Sequence, residues 1–368
     1  MRMRPLAAFQ AGALAFAFLV AGAASGIVPA TASALGGRAR AASPAAPVRF
    51  RGVLSGVAAT SGRSAWAVGS TNSLEPLILR WNGTAWERVS SAGIPRGRLL
   101  GVAAVSSGSA WAVGTAEGGG TLIARWDGTA WKRVPSPGTG DSRLAGVAAV
   151  SSRDAWAVGG DLILHWNGTA WQRERGPGLR GGTLAAVTAT SARNAWAVGG
   201  HLILHWNGSA WTRVRFRVAG VLNSVAAASS RDAWAAGYQC GAAGGGTCRP
   251  LILHWNGTAW KRVPSPNPPS QPLGNWLFGV AATSARNAWA VGGTSITDAG
   301  SKTLVLHWNG TAWKRVPSPG PPAGPNLYGV AATSARNAWA VGGTTSNDNG
   351  IFNCVILHWN GTTWNQVP

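Results

Sequence analysis

Acidic side chains are scarce in this chain: 11 Asp and Glu among 368 residues, only four of them glutamates (Glu75, Glu87, Glu117 and Glu174). A glycosidase needs a placed pair of carboxylates, and the aspartates fall mostly in turn-like sequence. Tyrosine is limited to Tyr238 and Tyr328, and neither sits in the Arg, Tyr and Glu pattern of a sialidase-like site. No Ser/His/Asp or Cys/His arrangement and no phosphate loop stands out. Three cysteines are too few for a disulfide framework. There are four lysines and no block of like charge, and charged residues make up 12% of the chain, about half the usual share for a soluble domain. Long helical periodicity is missing, and only one stretch is apolar enough to enter a bilayer.

That stretch is N-terminal. Residues 1–4 (MRMR) are basic, Leu6 to Ala24 carries no charge, and Ala32-Ser33-Ala34 supplies a small-x-small cleavage site. This is the layout of a secretory signal peptide, with an uncleaved anchor as the rival reading. No Cys follows the run, so a lipoprotein anchor is not indicated. The division expected is 1–34 signal peptide, 35–50 flexible Ala/Pro leader and 51–368 folded domain, giving a secreted or cell-surface protein with no transmembrane span after cleavage. Cys240 and Cys248 bracket the segment GAAGGGT and are expected to close it as a disulfide. Cys354 is left either as a buried thiol or as the partner of one of them.

Internal repetition dominates what is present. Three tryptophans recur in fixed order seven times: in AWAVG or AWAAG (Trp66, Trp111, Trp156, Trp196, Trp234, Trp289, Trp339), at the start of WNGTAW and its variants, and at its end. They account for 21 of 22 tryptophans, and only Trp276 stands outside. Each copy holds four strand signals. Strand A is small and β-branched (Gly56–Thr60 in the first copy), B is AWAVG, C is LILHW or LILRW, and D is TAWKRV. Asn-Gly between C and D reads as a two-residue type I′ hairpin turn. Four antiparallel strands in each of seven copies predict an all-β, seven-bladed β-propeller.

Residue size fits that reading, because strand A, which converges on the axis, is built of Gly, Val and Ala. With a turn at Asn82-Gly83, alternation puts Leu79, Trp81 and Trp86 on one sheet face and Ile78, Arg80, Ala85 and Val89 on the other. Both faces meet neighbouring blades, so the repeated tryptophans read as inter-blade packing. Over residues 54–368, the run from AWAVGG through LVLHW to a Trp-bearing strand ending in Pro-Ser-Pro resembles a kelch repeat. The AWAVG…NGTAW pairing is similar to Asp-box propellers, although their full consensus is absent. The resemblance implies the fold and leaves function open, since such propellers serve as enzymes, lectins and scaffolds.

The repeated motifs read as structure. Asn-Gly-Thr/Ser matches a glycosylation sequon, yet Asp127-Gly128-Thr129 fills the same slot in the second copy. The Arg-, Ala- and Gly-rich composition suggests a GC-rich bacterial genome, where sequons usually go unused. His165, His205, His254, His307 and His358 precede the strand-C Trp one per blade, where Arg80 and Arg125 stand in the first two, so they cannot converge on a metal. No metal or cofactor is expected. Without Arg2 and Arg4 the chain keeps 30 basic against 11 acidic residues, a net +19. Much of the charge is periodic: Arg153, Arg193, Arg231, Arg286 and Arg336 in A–B turns, and Arg88, Arg133, Arg173, Arg213, Arg262 and Arg315 on strand D. Such a ring would attract anionic polymers; no module for sequence-specific nucleic-acid reading is present.

Function is expected where the repeats break. Length varies in the B–C loops and the D–A crossovers, which share one face in an ABCD meander. Blades 5 to 7 carry insertions at 239–250, 294–303 and 344–354, and the longest crossover, 264–277, holds Trp276. The candidate ligand contacts are Trp276, Asn275, Tyr238, Asp298, Asn347, Asp348 and Phe352. The resulting expectation is a monomeric, exported, non-catalytic ring holding a glycan or a protein at the cell surface. The alternatives are a glycan-active hydrolase on the same scaffold and a basic polyanion-binding adhesin. No swapped closing strand is evident, and residues 47–52 are the segment available to contribute one.

Overall fold

The computed structural model describes residues 50–138, 142–177, 179, 183–241, 247–269, 274–296, 300–321, 324–344 and 352–367. The expected signal peptide and nearly all of the expected leader lie outside them. Among the described residues every regular element is a strand, and the strands form seven four-stranded antiparallel sheets in the order A-B-C-D. In blade 1 these are Val53–Ser61, Ser64–Ser70, Pro76–Trp81 and Trp86–Arg88. Each strand A touches the strand A of the blades before and after it, and the last touches the first. Those seven strands therefore form the inner wall of a closed propeller.

The tryptophans join the blades by one contact set used seven times. Strand-B Trp66, fully buried, lies 5.0 Å from Trp126 and 5.2 Å, edge to face, from Trp131 of blade 2. Trp339 of blade 7 meets Trp81 and Trp86 of blade 1 at 4.8 and 5.1 Å in the same way. Buried aromatic pairs in these geometries add about 0.5–1.5 kcal/mol beyond the area they bury. The strand-C indole donates its N–H to the A–B turn, as Trp81 Nε1 does to Gly62 O at 3.1 Å. Among the described residues the 14 indoles of strands B and D have no hydrogen-bond acceptor, so their contribution is packing.

Inner-strand residues are small because neighbouring strands A nearly touch. A Cβ at Gly56, Gly101, Gly146, Gly279 or Gly329 would lie 2.8–3.2 Å from the next strand's backbone. The glycine closing AWAVG answers to a tighter constraint. Strand A bulges after a recurring leucine (Leu54, Leu99, Leu222, Leu277, Leu327), a feature that bends the strand and leaves one residue unpaired. The carbonyl before that leucine, or before Leu144 and Leu184 in blades 3 and 4, falls where the facing glycine's Cβ would be, well inside 3.0 Å at Gly69, Gly114, Gly159, Gly199, Gly237, Gly292 and Gly342.

The C–D connection differs from the two-residue turn expected of Asn-Gly. Trp81 pairs with Trp86, so the loop is the four residues Asn82–Ala85. Asn82 Oδ1 accepts from Thr84 N, Thr84 Oγ1 and Ala85 N at 2.8–2.9 Å, and Gly83 takes φ +103°. An Asx-type cap with three donors holds a longer loop than a type I′ turn. Four residues keep the parity of two, so the expected faces survive except for Ala85, which lies in the loop: Leu79 and Trp86 pack toward blade 7, Ile78 and Val89 toward blade 2. Asp127 makes the same three contacts, and with Lys132 alongside at 2.8 Å its carboxyl is held far below the usual range.

Residues 50–52 help close the ring. Arg51 bridges Asn353, Gly52 N donates to Phe352 O at 2.8 Å, and Cys354 N donates to Phe50 O at 2.9 Å. The segment extends the entry to strand C of blade 7 and replaces no blade strand.

Candidate functional site

Strand register sorts the loops onto two faces. Strand A begins opposite the end of B and the start of C (Val53 with Ser70, Ser70 with Pro76), so D–A crossovers and B–C loops share the entry face. A–B and C–D turns share the other face. In blades 3 and 4, with minimal B–C turns, strand A starts only at Gly146 and Ala186. In blades 1 and 2 it starts at Val53 and Gly97, and in blades 5, 6 and 7 at Val221, Asn275 and Pro325; the candidate site lies on the longer wall of blades 5 to 7.

Trp276 lies in this wall rather than in the crossover. It is the second residue of Asn275–Ser284, half-buried and paired with Gly293. Asn275 is fully buried. Its Nδ2 donates to Asn267 Oδ1 at 2.9 Å and Pro268 O at 2.8 Å, and its N donates to Cys248 O at 2.9 Å. Cys248 is disulfide-bonded to Cys240, as the spacing suggests, and also bridges Gly274. The stapled B–C loop of blade 5 thus supports the strand presenting Trp276. Cys354 is a free thiol in the closure segment, pushed up to about 12 by burial.

Tyr238 is the next-to-last residue of strand B of blade 5 (Asp232–Gln239), in the position held by Gly293 and Gly343 in blades 6 and 7. It is half-buried, and that burial raises its phenol pKa. Phe352 is half-buried in the closure segment, where its carbonyl accepts from Gly52 N. Asp298, Asn347 and Asp348 lie outside the described residues.

The structure adds four residues at the same level. The bulge residue after the recurring leucine belongs to neither blade face, so on an innermost strand it turns toward the axis. In blades 1 and 2 this position holds Ser55 and Leu100, and in blades 5 to 7 Asn223, Phe278 and Tyr328; in blades 3 and 4, where strand A starts one residue later, Ala145 and Ala185 stand at the matching sequence position. The Phe278 and Tyr328 rings are 5.5 Å apart. Asn326, two residues before Tyr328, hydrogen-bonds it, and burial raises the Tyr328 pKa against that bond. Asn326 Oδ1 also fills the space where a Cβ of Gly293, the partner of Trp276, would sit. Asn223 Nδ2 donates to Leu277 O at 2.8 Å. Trp276, Phe278, Asn326, Tyr328, Tyr238 and Asn223 therefore concentrate aromatic faces and amides on one arc of the channel mouth. Arg98, Arg143 and Thr183 hold the strand-A entry in blades 2 to 4.

The five strand-C histidines are structural. Each stacks on its own strand-B tryptophan at 4.1–4.2 Å and bonds through Nε2 to Asp154, Asn194, Asp232, Asn287 or Asn337 at 2.6–2.9 Å. Arg80 and Arg125 replace that stack with guanidinium 5.4 and 5.2 Å over Trp66 and Trp111. Among the described residues no cluster of His, Cys, Asp and Glu could hold a metal ion.

Burial depresses the pKa of His205, His307 and His358. The unfolded chain therefore takes up protons at a higher pH than the folded one. Stability is full above about pH 6.5, the ordinary imidazole value, and falls as pH drops through it toward the depressed values. Melting curves between pH 7.5 and 5 are expected to show a falling Tm. The triple variant H205R/H307R/H358R, using the residue of blades 1 and 2, should fall less. Equal declines would place the effect elsewhere.

No family model matches the chain, and no curated protein matches its sequence. Solved structures similar to it include YCF48 from Cyanidioschyzon merolae, at 18% identity over 84% of this chain and 97% of that one, TM-score 0.56. Virginiamycin B lyase from Staphylococcus aureus aligns at 14% identity over 83% and 97%, TM-score 0.57. The GH74 xyloglucanase from Xanthomonas campestris aligns at 15% identity over 85% of this chain and 54% of that chain, TM-score 0.59. These likenesses establish the fold, a seven-bladed β-propeller, and nothing narrower.

Proposed function

We propose that the protein is an exported, non-catalytic binding ring of bacterial origin that holds a glycan or a protein at the cell surface through its channel mouth at blades 5 to 7. The observation that carries this reading is the break in sevenfold regularity at the inner wall. Positions filled by Ser, Leu or Ala in four blades hold Asn223, Phe278 and Tyr328 in the other three, with Trp276 and Asn326 beside them. Partly exposed aromatic faces flanked by amides suit sugar rings or peptide side chains.

Among the described residues the carboxylates other than Glu174 have partners, and this supports the non-catalytic part. Glu75 pairs with Arg88, Glu117 with Arg96 and Asp161 with Arg173. Asp154 and Asp232 hold histidines, and Glu87 accepts from Asn82 Nδ2. Each is engaged within or beside its own blade.

A glycan array probed with the protein lacking residues 1–34 is expected to give a defined set of binders and no turnover of chromogenic glycosides. Trp276→Ala combined with Tyr328→Ala should lower the signal at least tenfold, with a cooperative melt retained. Undiminished binding by the double variant would remove the site. Hydrolysis abolished by changing one carboxylate would remove the non-catalytic reading.

A further inference from the structure

The turn face, opposite the channel mouth, carries a second periodic feature. Six of the seven A–B turns place an arginine at the same position: Arg63, Arg153, Arg193, Arg231, Arg286 and Arg336, with Gly108 in blade 2. Arg63 belongs to this set although its sequence, Arg-Ser-Ala-Trp, departs from the Arg-Asn/Asp-Ala-Trp of the others. All six are exposed, and no ion pair engages any of them among the described residues.

Each of these turns is held from three sides. The backbone N–H of the arginine donates to the serine two residues earlier, as from Arg193 to Ser191 Oγ at 3.3 Å and from Arg336 to Ser334 Oγ at 3.2 Å. The strand-C indole donates to the carbonyl just before it, as from Trp206 to Ala192 O at 3.0 Å and from Trp359 to Ala335 O at 3.0 Å. The C–D loop glycine rests against the side-chain stem: a Cβ at Gly208 or Gly361 would lie 3.0–3.2 Å from Arg193 or Arg336 Cβ. The arginines are thus presented from fixed backbone with packed stems, which lowers the ordering cost of binding.

The strand-D arginines are a different group. Arg88 and Arg173 reach Glu75 and Asp161 near the entry face, and Arg262 donates to Gln239 Oε1 at 3.2 Å. The periodic charge that reads as one ring in sequence is therefore two sets: among the described residues no turn arginine has an acidic partner, whereas on strand D Arg88 and Arg173 do.

We propose that the turn face is a docking surface for a linear polyanion, one guanidinium per blade engaging successive phosphate, sulfate or carboxylate groups. Single charges spaced blade by blade fit a polymer bearing many anions and give no pocket for a small one. Guanidinium forks suit phosphate and carboxylate oxygens alike. The chain's net charge of +21 draws such a polymer in. This surface is independent of the channel mouth.

The test compares R193Q/R231Q/R286Q/R336Q with R88Q/R133Q/R262Q/R315Q, which removes equal charge from strand D. Binding to inorganic polyphosphate and to heparin is followed against salt, the two polymers separating phosphate from sulfated-sugar sources. The parent protein should bind one or both with affinity falling steeply in salt. The turn variant should lose most of that affinity, its log-log salt slope shallower by roughly 3, at about 0.7 per contact removed. The strand-D variant should keep it. Equal losses would reduce the effect to net charge and overturn the surface, as would binding to anionic phospholipid vesicles without binding to either soluble polymer. The Trp276/Tyr328 double variant should bind both polymers normally.

Discussion

Replacing Trp234 with alanine will cost about 3–5 kcal/mol, the range for emptying a large aromatic site in a core, and the loss will appear as a large drop in Tm. Trp234 is fully buried, 4.9 Å from Trp308 and 5.2 Å from Trp313 of blade 6, and His254 stacks on its own-blade side at 4.2 Å. One truncation therefore opens a hole between two blades and removes the support of a partly buried hydrogen-bonded pair, His254 with Asp232. Trp234→Phe will cost much less, because the indole N–H has no hydrogen-bond acceptor to lose. Similar costs for the two variants, read from denaturant unfolding, would contradict packing as the source.

Gly292→Ala is expected to have the second large effect, out of proportion to one methyl group. Its Cβ would occupy the position of the Trp276 carbonyl oxygen, and neither strand yields without losing the bulge between Leu277 and Gly279. Overpacking of this kind costs typically 1–3 kcal/mol, occasionally more. Because the same bulge sets Phe278 and Trp276 on the wall, ligand binding should fall together with Tm. The matching change in blade 3, Gly159→Ala, meets the Arg143 carbonyl; it should lower Tm comparably and leave binding at blades 5 to 7 intact. Loss of binding in both would detach the mouth from these blades.

Blade number, strand order and the two packing faces are legible in the sequence because they rest on residues repeated seven times. Whatever depends on a break in alternation is harder to read. Strand A reads as starting at Gly56, since the recurring run begins there, whereas it starts at Val53. The bulge in between reverses the period-two pattern. For the same reason Asn223, Phe278, Asn326 and Tyr328 look like residues ahead of the strand, although a leucine two places before Gly56, Gly101, Ser224, Gly279 and Gly329 marks it. Trp276 is detectable only because it falls outside a count; its strand position is not. Asn275 stands out by its neighbour and proves to be buried, with its amide holding the crossover. Arg63 escapes because a Ser replaces the Asn or Asp that follows the arginine in the later copies.

The contact between Trp339 and the Trp81–Trp86 pair turns a row of repeats into a loop with periodic boundary conditions. A linear array exposes an apolar face at each end and needs capping repeats, whereas here blade 7 serves as the cap of blade 1. The halves of that joint lie more than 250 residues apart in sequence, with the two partners at positions 86 and 339. Until the last blade forms, the first has one bare wall lined by Leu79 and Trp86. The final joint closes only after a large loop-closure entropy has been met, and once closed it makes the seven otherwise neighbour-only interfaces depend on one another.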